Sequence, residues 1–95
     1  GNIFMLMDNK LITPSISEGC LNGIMRKQVL KLINQFPEMQ IEESSISPFD
    51  LQKADELFIT NVIIGIQPIT KYRKKEYSSN LSQQLLDKIN QTIFN

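Results

Sequence analysis

The chain has 95 residues, 41% hydrophobic and 21% charged, which is the size of one domain (residues 1–95) with a modest core. Ten basic and ten acidic side chains cancel, so no overall field draws the chain to nucleic acid or to an anionic membrane surface, and no apolar run reaches the length of about 18 residues that a spanning helix needs. The absence of histidine excludes a histidine base or metal ligand, while a lone Cys20 excludes an internal disulfide and fits a reducing, cytoplasmic setting.

In chain order, Gly1 is followed at once by the strand-like Asn2-Ile3-Phe4, and the expectation is a piece whose native partner segment lies upstream. Asn2 to Met7 is an apolar run, Asp8-Asn9-Lys10 a tight turn and Leu11-Ile12-Thr13 the return, which together predict a β-hairpin ended by Pro14. Ser15 to Leu21 reads as loop. Asn22-Gly23 then precedes a helix predicted over 23–36, in which Met25, Val29, Leu32, Ile33 and Phe36 share one face and Pro37 is the stop. Met39, Ile41 and the stretch 44–46 suggest a short, partly exposed strand. Ser47-Pro48-Phe49-Asp50 is a helix start, with a serine cap, proline at the first helical position and a carboxylate at the third; the helix runs to about Ala54.

The stretch from Ala54 to Ile69 is the centre of the reading. Leu57 to Thr60 is a buried-strand pattern, Thr60-Asn61 a turn, and Val62 to Ile66 a second extended run, after which Pro68 is barred from a central ladder position. Thr70 to Tyr77 reads as an outer strand and charged turn. Asn80 is placed as the cap of a last helix with a stripe of Leu81, Leu85, Ile89 and Ile93. The class is mixed α/β.

Two places on the chain suit an anion. Free amides at the Thr60-Asn61 turn are one. The junction Leu21-Asn22-Gly23-Ile24-Met25 is the other: a helix start offers unpaired N–H groups and about half a unit of positive charge, and Gly23 lets the backbone approach closely. Asn22 capping its own helix is the plainer alternative. The acidic pairs Glu42-Glu43 and Asp55-Glu56 read as solvated surface, the Lys71 to Lys75 run as a solvated hairpin tip, and Cys20 as a small apolar residue. No lysine lies inside an apolar stretch, so the chain alone presents no catalytic residue.

The succession NIFMLMDNKLITPS, GCLNGIMRKQVLKL and DLQKADELFITNVIIGIQPI, over residues 2–73, resembles the C-terminal domain of the class IV aminotransferases, the fold-type IV pyridoxal-phosphate enzymes. The resemblance implies their fold, a mixed sheet or pseudo-barrel with packed helices. It implies pyridoxal 5′-phosphate as cofactor, with Leu21 against the ring, the amides of Ile24 and Met25 on the phosphate, and the turn of Asn61 and Val62 on its other side. Val62 departs from the threonine of the transaminases, and Thr60-Asn61 followed by Gly65-Ile66 looks more like 4-amino-4-deoxychorismate lyase, which releases pyruvate to give 4-aminobenzoate for folate synthesis. A branched-chain or D-amino acid aminotransferase is the alternative within the family, and a non-catalytic binding module the alternative outside it. The family's Schiff-base lysine, phosphate-site arginine and pyridine-nitrogen carboxylate all precede the position of Asn2, so the resemblance implies an inactive fragment. Its partners would be the N-terminal half of the same polypeptide, a second copy in a homodimer and a small-molecule substrate, with no nucleic acid and no membrane.

Overall fold

The structure is a computed structural model that describes residues 2–15, 24–61 and 65–94. The opening hairpin is present as β1 (Asn2–Met7) and β2 (Lys10–Thr13), with Met7 opposite Lys10 and Asp8 turning the chain at φ 55°. Aspartate tolerates that left-handed conformation, which is why so short a loop suffices.

Helix α1 (Ile24–Ile33) is shorter than the predicted 23–36. Phe36 precedes Pro37, and the residue before a proline is disfavoured in the helical region; the chain instead closes with tight turns in which Gln35 and Phe36 donate to the carbonyls of Leu32 and Ile33. Phe36 still packs on the core as a half-buried side chain. The predicted exposed strand is β3 (Gln40–Glu43), with every residue exposed, and it stops before Ser44. Helix α2 (Pro48–Lys53) begins as expected: Ser47 Oγ accepts from the Asp50 amide, and Asp50 Oδ2 accepts from the Ser47 amide.

Strand β4 (Glu56–Asn61) carries a correction to the reading of the central stretch. Thr60 and Asn61 are not a turn but the end of the strand, opposite Ile66 and Gly65. The second strand is β5 (Gly65–Ile69), not Val62 to Ile66, and Gly65 enters it at φ 90°, open to glycine without a side-chain clash. Pro68 does sit in a ladder, opposite Phe58, but on a strand at the sheet's edge, where its missing N–H faces away from the ladder. The charged segment is a small hairpin, β6 (Lys71–Tyr72) and β7 (Lys75–Glu76), with exposed Arg73 at its tip at φ 57°. The last helix is α3 (Asn80–Phe94).

The sheet order is β3-β2-β1-β4-β5, antiparallel except for β3 on β2. Side chains alternate across it. On one face Phe4, Leu6, Leu11, Phe58 and Ile66 meet Val29, Leu32 and Ile33 of α1 and Leu81, Leu85 and Ile89 of α3. Phe4 and Phe58, opposite each other in the ladder, stack with centroids 5.1 Å apart. On the other face Met5, Ile12 and Leu57 pack with Ala54 and Tyr77, and with half-buried Leu51 of α2. Tyr77 donates its hydroxyl to the Leu51 carbonyl, tying the hairpin to α2. No helix among the described residues is long and apolar enough to cross a membrane.

Candidate functional site

The register of the strands fixes which chain segments share an end of the sheet. Asn2 lies opposite Thr60, and Met5 opposite Ile12, so the start of β1, the finish of β2 and the finish of β4 coincide. Glu43 lies beside Thr13, which adds the finish of β3, and Gly65 opposite Asn61 adds the start of β5.

Helix α1 starts at this same end. Arg26, the third residue of the helix, donates from Nη2 to the Pro14 carbonyl at 3.3 Å and pairs at 3.3 Å with Oε1 of Glu43. Both partners stand at strand finishes. The first turn of α1 holds no acidic side chain to occupy its own amides. Arg26 is 5% exposed, and its Nε is buried with no hydrogen-bond partner among the described residues. A positive helix end, a buried cation and an unpartnered donor together make this end of the sheet receptive to an anion.

Of the site residues expected from sequence, Leu21, Gly23 and Val62 lie outside the described residues, as does Cys20. Ile24 and Met25 are the first two residues of α1, and Asn61 is the last of β4. These three therefore belong to one end of the sheet. Thr60, beside Asn61, is 1% exposed, and its hydroxyl is engaged with the backbone of Asn2, accepting from N at 3.3 Å and donating to O at 3.4 Å.

Two buried charged side chains are not expected from the sequence. Arg26 is one; it falls three residues before Val29 and seven before Ile33, so it lies on the apolar stripe, and a cation at that phase is the signal that was there to find. Glu56 is the other, and it overturns the reading of Asp55-Glu56 as solvated surface. Adjacent residues do point apart, but where the chain enters β4 this leaves Asp55 exposed and sends Glu56 inward, in phase with Phe58 and Thr60. Glu56 is 3% exposed and accepts from the Leu81 amide at 2.9 and 3.1 Å and from the Ser82 amide at 3.4 Å. Asn80 is thus the first residue of α3 rather than its cap, and Glu56 closes that helix start.

A cavity of about 630 Å³ lies on the face of the sheet away from α1 and runs from Asp8 and Asn9 to Ser44 and Ser45, with Met5, Met7 and Ile12 as its apolar floor and Asp8, Glu38, Glu42 and Asp50 outnumbering Lys10 among its charged residues. Its rim is acidic, the wrong sign for a phosphate.

The sequence profile of the amino-transferase class IV family matches residues 1–72. The chain belongs to that family, whose enzymes use pyridoxal phosphate. Among curated relatives, a probable branched-chain-amino-acid aminotransferase of Thermotoga maritima is 36% identical over 80% of this chain and 28% of its own length. An aminodeoxychorismate lyase of Vibrio harveyi is 29% identical over 73% of this chain and 25% of its own. Among solved structures, a branched-chain amino acid aminotransferase from Thermobaculum terrenum superposes with a TM-score of 0.86 at 27% identity, covering 98% of this chain and 31% of that one. The chain thus spans under a third of the length of these proteins.

Proposed function

We propose that residues 1–95 form the domain that holds the cofactor phosphate in a longer pyridoxal-phosphate enzyme, and that the enzyme is an amino-acid transaminase. The observation that carries this is the end of the sheet where α1 begins: no acid in the first turn, and a buried Arg26 whose Nε lacks a partner among the described residues. The residues present fit a phosphate monoester. The amides of Ile24 and Met25 would hold it from the helix start and that of Asn61 from the finish of β4, with Val62 next to Asn61 and Gly23 next to Ile24 extending the cradle and Leu21 against the ring. When bound, the cofactor supplies an electron sink for bond changes at an amine-bearing carbon. The work of this chain is to orient it. Main-chain N–H groups on a rigid helix and strand fix the phosphate without a titrating side chain, and so set the position of the ring.

The transaminase reading is favoured by the higher identity to a branched-chain enzyme. The lyase reading has its own support in the match to an aminodeoxychorismate lyase and in Val62, which lacks the hydroxyl of the transaminases' threonine. Coupled assays of the whole protein separate the two: glutamate formation marks the transaminase, pyruvate release the lyase. The reactive amine, on this reading, comes from polypeptide outside these residues. Borohydride treatment of the chain with pyridoxal phosphate is expected to leave no single lysine stoichiometrically labelled, and such labelling would overturn the assignment.

A further inference from the structure

We propose that the Arg26–Glu43 pair sets how tightly the start of α1 holds a phosphate, with Arg26 as a positioning residue and Glu43 as an internal competitor for its charge. The inference rests on the phosphate-holding role argued above and adds to it a control on affinity.

A cation in the first turn of a helix has the unfavourable sign, because it adds to the positive end of the dipole. Burial compounds this. A guanidinium at 5% exposure has lost most of its water and needs acceptors in return. Those it has are gathered at one corner. Nη2 serves both the Pro14 carbonyl and the Glu43 carboxylate, while Nε is out of solvent and has no partner among the described residues. The Pro14 carbonyl is neutral. Glu43 stands on an edge strand with its side chain half exposed, so water screens much of its charge. The pair therefore does two things. It pins the first turn of α1 to the finishes of β2 and β3, and the part of the Arg26 charge that half-exposed Glu43 does not neutralise adds to the positive end of the helix that Ile24 and Met25 begin. An anion bound at their amides gains from that surplus, and Glu43 subtracts from it.

The two residues then have opposite effects on an anion, which a merely structural pair does not. Inorganic phosphate, and separately pyridoxal 5′-phosphate, are titrated calorimetrically into the protein freed of cofactor, at low and high salt. Arg26→Met is expected to weaken phosphate binding about tenfold, and Glu43→Gln to tighten it severalfold, the scale of one unit charge acting at short range through a partly screened path. Arg26→Lys, which keeps the charge and loses the planar fork, falls between. Both effects shrink at high salt. Glu42→Gln, the neighbouring acid that faces Lys10 at 3.5 Å, leaves the affinity unchanged. Should Arg26→Met fail to fold, Glu43→Gln and Arg26→Lys carry the test. Glu43→Gln weakening phosphate binding or leaving it unchanged overturns the competitor role while the cradle stands. Failure of the unsubstituted protein to bind either phosphate overturns both.

Discussion

Helices α1 and α3 pack side by side on one face of the sheet, yet they begin at opposite ends of it and their starts are finished differently. At α3 a buried carboxylate from β4 takes the first amides, so the positive end of the helix is satisfied from within. At α1 the first turn has no acid and gains a buried guanidinium instead. Helix α2 gives a third case, closed by its own Ser47 and Asp50. Among the described residues, two helix starts are closed by the chain's own carboxylates, while the first turn of the third carries Arg26 and Lys27 and no acid, the charge pattern on which the proposed phosphate site rests.

Removing the carboxylate that closes α3 is the most drastic way to break this contrast. Glu56→Gln keeps the shape but replaces charge-assisted acceptance by a neutral amide, and it leaves an NH2 group facing backbone donors. A loss of about 2–3 kcal/mol in urea unfolding is expected. Phosphate affinity should stay as it was, because Glu56 opens β4 at the far end from Asn61. A stability loss under 0.5 kcal/mol, roughly the scatter of surface substitutions, would show that α3 does not depend on its cap.

These features differ in how far sequence alone discloses them, and the reason is sequence distance. The β1–β2 hairpin is legible because an apolar run, an Asp-Asn turn and a second apolar run lie within a dozen residues, and α2 because its capping box is contained in Ser47 to Asp50. The parallel pairing of β3 with β2 leaves no local trace, since the partners come together only across α1. Glu56 and Leu81 are 25 residues apart, so a polar side chain whose role is to cap another element looks like ordinary surface until the topology is known. The candidate site follows the same rule. Ile24 and Met25 are recognisable as a helix start, but that this start shares an end of the sheet with Asn61 depends on strand register, and the register is a property of the whole fold.

A smaller change tests α2. Ser47→Ala removes the acceptor for the Asp50 amide and should cost about 1 kcal/mol. It carries a pH signature as well. The Ser47 amide, and then its hydroxyl, donate to the Asp50 carboxylate and hold it below the usual carboxylate range. A lowered carboxylate contributes stability that is present above the ordinary aspartate pKa and is lost as pH falls through the lowered one. Acid titration of the unfolding midpoint should therefore show a step below the ordinary aspartate pKa that disappears in Asp50→Asn. A step on the alkaline side of that pKa would contradict the assignment.

The finest test makes α1 resemble α3. Lys27 is exposed in the first turn of α1, so Lys27→Glu places a carboxylate near the helix start without disturbing the core. The dipole then gains an anion where it had a cation, and the helix should be stabilised by about 0.3–1 kcal/mol at low salt. That gain comes from the same positive potential that a phosphate would use, so the substitution should raise thermal stability and weaken phosphate binding together, each effect fading as salt is added. Opposite movement of stability and affinity distinguishes a helix start that takes a ligand from one whose charge bears on folding alone. If Lys27→Glu stabilises the fold and leaves phosphate binding unchanged, the positive end of α1 is not part of the cradle, and the contrast with α3 concerns folding alone.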